Sequence, residues 1–209
     1  MLDKNRKRAR SEDEKEGRRA AILDAARNYV AESGFDVVTM SGLARRAGLA
    51  KGTLYLYFRT KEELFLSLFT DLIHAVVDRF VAEATPGTVA ERLTVIAGET
   101  PLFLPLFARL VAVIEANVAD EPLFAAKRAM RTESQRFASC LQHLLSCDTA
   151  RAAEISSALF LAMQGAAQFD LTARRDPAGI PEDLRGYIAS HAFGERFPEA
   201  ARVILGERS

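Results

Sequence analysis

Apolar residues recur every three or four positions along most of this chain, and that spacing restricts its fold more than any other feature. The pattern is clearest between residues 61 and 84, where seven large apolar residues share one helical face: Phe65, Leu68, Phe69, Leu72, Ile73, Val76 and Phe80. A period near 3.6 residues is typical of an α-helix with one buried side. Alternation of apolar and polar residues is never sustained over the length of a strand. We therefore predict an all-α fold.

Capping residues divide the first part of the chain into short helices. A first helix is expected over residues 18–33, and Gly34 ends it. Thr39 is placed to N-cap a second helix that ends at Gly48. A short third helix is expected over residues 51–58.

The rest of the chain is predicted to consist of longer helices. Thr60 and Glu63 form a capping box, which starts a fourth helix over residues 61–84. Proline and polar breaks mark further helices, which we predict near residues 88–98, 102–119, 121–146, 149–173 and 182–205. Gly194 and Pro198 are expected to break the last of these in two.

Charge is distributed unevenly over three predicted parts of the chain. We expect a flexible, disordered arm over residues 1–17, a three-helix unit over 18–64 and a larger helical body over 65–209. Residues 1–64 carry 14 Lys/Arg and 10 Asp/Glu, whereas residues 65–209 carry 14 and 18. The net charge of zero is therefore the sum of a basic N-terminal part and an acidic remainder. This asymmetry indicates that only the N-terminal part meets a polyanion.

Neither a cleavable signal nor a membrane span is expected. The N-terminus carries charge but no apolar core segment. The longest relevant charge-free run, Ile155 to Phe169, has 15 residues, whereas a span needs about 20. Cys140 and Cys147 would lie ~10 Å apart on one helix, too far for a disulfide. We expect a soluble, cytoplasmic protein without a membrane partner, in which both cysteines are small core residues.

The stretch from Val37 to Lys61 contains five Lys/Arg residues and no Asp or Glu. Within it, Gly48 permits a tight left-handed turn, and apolar residues on either side of the turn can lock two short helices together. This arrangement is typical of a helix-turn-helix. The second helix then presents its other face, with Gly52 allowing close approach of a partner and four side chains able to bind it: Lys51, Thr53, Tyr55 and Tyr57.

A DNA duplex suits such a face. Lysine, threonine and tyrosine side chains, together with exposed backbone amides, bind phosphate oxygens. The methyl group of Thr53 can contact a thymine. The absence of carboxylates removes repulsion from the polyanion. One of the two tyrosines, Tyr55 or Tyr57, can instead fill the small core of the unit.

The same residues resemble the N-terminal domain of the TetR (tetracycline-repressor) family of bacterial regulators. The resemblance covers roughly a quarter of the chain, from about Ile22 to Phe69. Its matching positions are Ser33-Gly34-Phe35, Thr39, Leu43-Ala44-Arg45-Arg46-Ala47-Gly48-Leu49, Lys51-Gly52-Thr53-Leu54-Tyr55, Tyr57-Phe58 and Lys61-Glu62-Glu63-Leu64. Two positions depart from the commonest pattern: Ala50, where serine is frequent, and Gly42, where a larger residue is usual.

The resemblance implies a homodimer that binds a palindromic double-stranded DNA operator and, in most members, a repressor released by a small ligand. The DNA contacts it implies are Thr39, Lys51, Gly52, Thr53, Tyr55, Tyr57 and Lys61, while Arg45 and Arg46 either bind phosphate or are solvated. The basic residues between Lys4 and Arg10 either add minor-groove or phosphate contacts or form a solvated tail.

The resemblance further implies that the body holds a pocket for an unknown small-molecule ligand and dimerises through its last two long helices. Candidate pocket residues, each of which can instead be an ordinary core or surface residue, are Phe69, His74, Phe103, Phe107, Asn117, Phe124, Phe137, Met163, Gln164 and Gln168. Small residues allow helices to approach closely, and the candidate dimer contacts are Ala152, Ile155, Ser156, Leu159, Ala162, Met163, Ala166, Leu184, Ile188 and Phe193. An intramolecular core without a partner is the alternative for this second set.

Geometry suggests how a ligand could control DNA binding. A symmetric dimer must place its two recognition helices about 34–36 Å apart, and the fourth helix, about 35 Å long, ties each of them to the body. A ligand that favours one dimer shape changes that spacing.

The sequence offers no enzyme, metal or cofactor motif. Its three histidines are far apart, without metal-ligand spacing, and Lys51-Gly52-Thr53 lacks the glycine spacing of a P-loop. We therefore predict a transcriptional regulator that is not an enzyme and needs no cofactor. The alternatives are an activator or ligand-independent regulator of the same fold and, more remotely, a helical small-molecule carrier or enzyme.

Overall fold

Helices account for the regular structure of the described chain, which confirms the all-α prediction. The computed structural model describes the backbone of residues 2–173 and 176–207, and the side chains of 14–171, 176 and 178–207. The α-helices in these ranges are α1 Leu2–Ser33, α2 Met40–Arg46, α3 Lys51–Tyr55, α4 Lys61–Glu83, α5 Val89–Glu99, α6 Phe103–Arg109, α7 Asp120–Leu145, α8 Thr149–Ala173, α9 Glu182–Ala189 and α10 Phe193–Leu205. A π-helical segment, Leu110–Ile114, and two 3₁₀ turns, Glu115–Asn117 and Pro177–Gly179, complete them.

Helices α1 to α3 and the first turns of α4 form an N-terminal unit with its own core. Its fully or almost fully buried side chains come from all four helices and their connections: Ile22, Ala26, Val38, Leu43, Leu54, Phe58, Leu64 and Phe65. Burying one large apolar side chain stabilises a fold by about 1.5–3 kcal/mol. The apolar residues that lock the two short helices together therefore hold the unit in shape.

Helix α1 begins at Leu2, whereas the sequence predicted a helix start near Arg18; the flexibility of the N-terminal arm stays a prediction. This segment is rich in lysine, arginine and glutamate, which favour a helix even without a buried face. The DNA contacts considered for the basic residues between Lys4 and Arg10 lie outside the described side chains.

The predicted caps are present. Thr39 Oγ1 accepts a hydrogen bond from Gly42 N at 3.1 Å, and Thr60 Oγ1 accepts one from Glu63 N at 3.0 Å. The Glu63 carboxylate reaches back to the amide of Arg59 at 2.8 Å, one residue before the cap itself. Gly48, with φ of +65°, adopts the left-handed backbone expected at the turn after α2.

Helix α4 joins the N-terminal unit to the body without a break. The boundary predicted between residues 64 and 65 therefore falls inside a continuous helix. Phe69, on its third turn, is fully buried and stacks on two rings of α6, with centroids 5.7 Å from Phe103 and 5.3 Å from Phe107.

The body is a set of helices packed around α4 and α8. Helix α4 lies against α7, α7 against α8, and α8 also against α6 and α10, while α5 packs on α10. These contacts bury a continuous apolar core that extends from the N-terminal unit. Helices α4 to α8 consequently surround a space between them, described below.

Two predicted helices are divided differently in the structure. The segment predicted near 102–119 becomes α6, the π-helical segment and a 3₁₀ turn. The last helix is broken at residues 190–192, where Ser190 Oγ and His191 Nδ1 lie 2.8 and 2.6 Å from Tyr187 O and so satisfy the end of α9. Gly194 and Pro198, expected to cause this break, both lie inside α10.

Among the described residues, no single helix combines the length and apolar character that crossing a membrane requires. Helix α5 and the segment Phe103–Asn117 meet that requirement only as a pair, and they bend by 94° where they join.

Candidate nucleic-acid interface and ligand cavity

Helix α3 has one face in the core and one face outward. Leu54 is completely buried, whereas Lys51 and Gly52 are exposed and Thr53 is half-buried. Tyr55 keeps 41% of its surface exposed. Because the sequence has no acidic residue between 37 and 61, this outer face can approach phosphates without carboxylate repulsion.

The two tyrosines near this face have different environments. Tyr55 points outward, and Lys51 Nζ lies 5.8 Å from its ring centroid. Tyr57 is half-buried against the core and borders a groove with Arg19 and Phe58. Tyr55 is therefore the more open of the two tyrosines, and Tyr57 packs partly against the core.

Two further predicted contact residues flank α3 and also have local structural roles. Thr39 is exposed, but its hydroxyl already caps α2. Lys61 is half-buried at the start of α4, with its Nζ 5.8 Å from the centroid of the Phe35 ring. Each therefore has a structural role at the start of its helix, and Thr39 is also exposed.

The two arginines of α2 differ in whether their side chains have partners within the N-terminal unit. The Arg46 guanidinium lies over the Tyr29 ring, 4.2 Å from its centroid, and pairs with Glu32, so both of its contacts are on α1. Arg45 is exposed and makes no ion pair within the described residues. Arg45 is the one free to reach a phosphate.

Gly42, one of the two departures from the family pattern, has a local explanation. A Cβ atom at this position would lie 2.5 Å from Tyr29 Oη and 2.9 Å from its Cε1. Tyr29 thus occupies the volume that a larger residue in α2 would need, and its ring in turn supports Arg46.

A cavity of about 320 Å³ lies in the body between α4, α5, α6, α7 and α8. Most of its wall is apolar and buried or half-buried: Ile73, Val76, Val77, Leu93, Phe103, Phe107, Met130, Phe137, Leu159 and Met163. Three of these residues belong to α4, whose first turns contribute Leu64 and Phe65 to the core of the N-terminal unit. A molecule in the cavity would therefore touch the helix that carries the N-terminal unit.

Four of the ten predicted pocket residues line this cavity: Phe103, Phe107, Phe137 and Met163. Phe69 does not line the cavity itself but stacks on Phe103 and Phe107, which do. His74 is outside the cavity but contacts one of its lining residues. The prediction is wrong for this cavity at the other four residues, which do not line it: Asn117, Phe124, Gln164 and Gln168. Each of these four is exposed or half-buried elsewhere on its helix.

One carboxylate is built into the cavity wall. Glu133 is 8% exposed, and its oxygens lie 2.9 Å from His74 Nδ1 and 2.6 Å from Arg136 Nη1. Arg136 Nη2 also donates to Asp78 Oδ1 at 2.5 Å, and this bond holds the pKa of the Asp78 carboxyl below its usual value of 3.8. The network joins α4 to α7 and balances the charge of Glu133.

Sequence analysis missed the exposed rim of the cavity, which is polar except for Phe160. Its residues are exposed and lie on α7 and α8: Lys127, Arg131, Ser134, Ser157 and Phe160. The first three have the i, i+4, i+7 spacing of one helix face, which was a usable signal. Ser156, predicted as a dimer contact, also lines the cavity; it is 4% exposed and has no hydrogen-bond partner for its hydroxyl among the described residues.

The face of α8 predicted to contact a second copy is turned into this chain. Seven of the ten predicted dimer residues are buried in the monomer and so cannot meet a partner in this arrangement: Ala152, Ile155, Ser156, Leu159, Met163, Ala166 and Phe193. Ala162 and Ile188 are half-buried and Leu184 is exposed. Large apolar residues are instead exposed on the outer side of α8 and α9: Leu161, Phe169, Leu184 and Tyr187.

Within the part of the chain that the structure describes, no group of three or more His, Cys, Asp or Glu residues is arranged to hold a metal ion. Cys140 and Cys147 are free thiols, and burial raises the pKa of Cys140.

Helix α3 and the body define the class of protein: a helix-turn-helix unit carried by a helical body that encloses a cavity. Residues 22–68 match the family described as bacterial regulatory proteins, tetR family. Residues 63–174, more than half of the chain, match the tetracyclin repressor-like C-terminal domain. The chain belongs to the tetR family, whose members are transcriptional regulators and not enzymes.

Comparison with individual proteins agrees with this assignment. The chain is 36% identical over 76 residues to the Fatty acid metabolism regulator protein of Bacillus subtilis (strain 168), a match covering 36% of this chain and 39% of that protein. It is 31% identical over 153 residues to the HTH-type transcriptional regulator BetI of Agrobacterium fabrum, covering 68% and 72%. The match to the B. subtilis protein thus spans less than half of that relative's length.

A solved structure shares the fold. That of Thermus thermophilus FadR, a repressor in complex with lauroyl-CoA, aligns with 91% of this chain and 95% of its own length, at a TM-score of 0.56 and 21% identity.

Proposed function

We propose that this protein is a homodimeric repressor that binds a palindromic operator through α2 and α3, in the cytoplasm, and is released by a small, largely apolar ligand. The observation that carries the proposal is the position of α4. Its first turns contribute Leu64 and Phe65 to the core of the N-terminal unit, and its later turns supply Ile73, Val76 and Val77 to the cavity wall. One rigid element therefore contacts both the ligand and the unit that reads DNA.

The DNA contacts are assigned to the outer face of α3. Lys51, Gly52, Thr53 and Tyr55 provide a cation, a close backbone approach, a methyl group and a phenolic hydroxyl on one surface. Phosphate contacts of this kind position a protein on the duplex, while Thr53 and Tyr55 can also reach base edges. Arg45 adds a free positive charge on α2.

The dimer is assigned to the outer side of α8 and α9 and not to the inner face that the sequence suggested. Leu161, Gly165 and Phe169 follow each other at intervals of four residues and so form one stripe along α8. Leu161 and Phe169 are 64% and 57% exposed, and nothing lies within 4 Å of where a Gly165 Cβ would be. A second copy of the same stripe can approach closely here, as a two-fold interface requires.

The ligand is assigned to the cavity. Its volume of about 320 Å³ is at the lower end of the range of about 300–1,000 Å³ that small-molecule sites occupy. A ligand that separates α4 from α7 or α6 would change the spacing of the two recognition helices in a dimer. The repressor FadR of Thermus thermophilus holds lauroyl-CoA, so this compound is a reasonable first probe.

Fluorescence anisotropy with a labelled duplex from the region upstream of the gene tests the proposal. We expect saturable binding at low salt, with a stoichiometry of two chains per palindrome, and weaker binding when lauroyl-CoA is added. Absence of binding to that DNA at low salt would contradict the assignment to α3. Unchanged DNA affinity in the presence of a ligand proven to occupy the cavity would contradict the proposed coupling.

A further inference from the structure

The cavity has two zones of different chemistry. Its interior is formed by buried or half-buried apolar side chains from five helices, with Glu133 and Ser156 as its polar groups. Its rim consists of exposed residues on α7 and α8: Lys127, Arg131, Ser134, Ser157 and Phe160. An occupant therefore meets an apolar interior at one end and a hydrated, polar edge at the other.

Among the charged residues that line the cavity, all but one are paired with another residue that the structure describes. Glu133 is paired with Arg136, whose Nη1 lies 2.6 Å away, and with His74. Lys127 Nζ lies 2.6 Å from Glu115 Oε1. Arg131 makes no ion pair or side-chain hydrogen bond with any residue that the structure describes. The uncompensated charge at the cavity is thus the positive charge of Arg131.

We infer that the cavity takes an amphipathic anion, with its hydrocarbon part in the interior and its anionic group at the rim against Arg131. This rests on the proposed function, because it assigns a chemical class to the ligand of the same cavity. A guanidinium binds carboxylate and phosphate oxygens in a planar, bidentate fashion. The hydroxyls of Ser134 and Ser157, on the facing sides of α7 and α8, are further donors for the same group.

Ligands of other charge are less well matched. A cationic head at the rim would lie beside Arg131 and be repelled. A cation placed in the interior would be desolvated next to a carboxylate that already has two partners. A neutral hydrocarbon would use the interior alone and leave Arg131 without a role.

Isothermal titration calorimetry on the full chain without DNA tests this inference. The probes share one twelve-carbon chain and differ in their head group: dodecanoate, dodecyl phosphate, dodecanol and dodecyltrimethylammonium, each below its micelle concentration. We expect the two anions to bind at least 10-fold more tightly than the alcohol and the cation. The ratio between carboxylate and phosphate separates a free acid from a phosphate-bearing ligand as the natural source.

Arg131→Gln should weaken binding of the anions about 3- to 10-fold, which is the usual size of one charge-assisted contact at a partly exposed site, and leave dodecanol binding unchanged. Arg128→Gln is the matched control, because Arg128 is an exposed arginine one turn earlier on α7 that does not line the cavity. Raising the salt concentration should weaken anion binding to the native chain but not to the Arg131→Gln variant.

Equal affinity for dodecanol and the anions, or anion affinity that is unchanged in Arg131→Gln, would overturn the inference. The result is separable from the proposed function. Anions that bind through Arg131 but leave operator affinity unchanged would refute the regulatory coupling alone. Operator release by dodecanol or by the ammonium probe, with no preference for anions, would refute the inference alone.

Discussion

The guanidinium of Arg109 lies over the ring of Phe35, with its central carbon 4.9 Å from the ring centroid. Arg109 is the last residue of α6, the helix that places Phe103 and Phe107 in the cavity wall. Phe35 lies in the turn between α1 and α2, and its ring is 4.4 Å from that of Phe65 on α4. This contact connects the cavity wall to the N-terminal unit by a route separate from α4.

Replacing Arg109 should uncouple the cavity from the N-terminal unit. In Arg109→Gln we expect operator affinity without ligand to stay within about 2-fold, with a loss of about 0.5–1 kcal/mol of stability from the lost cation–π contact. The ratio of operator dissociation constants with and without lauroyl-CoA should fall towards one. Arg92→Gln, which removes a half-buried arginine of α5 that pairs with Glu83, should leave that ratio unchanged.

A methyl group at Gly42 should destabilise the protein. Gly42→Ala places a carbon 2.5 Å from Tyr29 Oη, and overpacking of this kind costs about 1–3 kcal/mol, against a gain of up to about 1 kcal/mol in helix propensity. We expect a lower urea midpoint by circular dichroism. Gly52→Ala, where a Cβ meets nothing within 4 Å, should be neutral or stabilising, and a stable Gly42→Ala protein would show that Tyr29 can move without cost.

Neutralising Lys51 should change the salt dependence of DNA binding. If Lys51 contacts one phosphate, Lys51→Gln should reduce the slope of log K against log salt by about 0.9. Anisotropy titrations at four salt concentrations measure that slope. Arg128→Gln changes an exposed arginine on α7 of the body and should leave the slope unchanged. A slope in Lys51→Gln equal to that of the native protein would show that Lys51 does not contact a phosphate.

Asp78 should make the protein sensitive to acid. Arg136 lowers the pKa of Asp78 in the folded state, so this carboxylate contributes stability above its unfolded pKa, and that contribution is lost as the pH falls from about 4 through the folded pKa. In Asp78→Asn the urea midpoint should be lower at neutral pH and fall less steeply below pH 4. Asp183→Asn serves as the control, because Asp183 is exposed and lies on α9, away from this network.

A charge on the outer side of α8 should disrupt the dimer. Leu161 is 64% exposed in the monomer, so Leu161→Asp should fold normally but shift the chain to a monomer in size-exclusion chromatography with light scattering. An apolar side chain of this size contributes about 1.5–3 kcal/mol when buried, which corresponds to at least a 10-fold weaker dimer. Val203→Asp tests whether any exposed apolar site has the same effect. A Leu161→Asp protein that remains dimeric would place the interface elsewhere.

Local features of the fold could be predicted from the sequence because they depend on near neighbours. The Thr60 cap, the left-handed turn at Gly48 and the burial of Leu54 under an exposed Lys51 each involve residues within a few positions of one another. The cavity could not be predicted in the same way. Whether Ser156 on α8 faces a second copy or the inside of this chain depends on how α8 packs against α6, α7 and α10, and the apolar period is the same in both cases.

The same limit explains the missed rim. Arg131 and Arg128 are both arginines on one exposed helix, and only the position of α8 makes one of them part of the cavity. The pairing of Glu133 with His74 links residues 59 positions apart, a separation at which helical spacing carries no information.

The π-helical segment Leu110–Ile114 follows the cavity-lining helix directly. A π turn contains one residue more than an α turn, so this stretch holds a surplus residue beside Phe107. If the π turn moved by one residue along the chain, the preceding helix would rotate by about 100° around its axis while α7 stayed in place. Such a rotation would change which α6 side chains face the cavity, because Phe103 and Phe107 both lie on that helix.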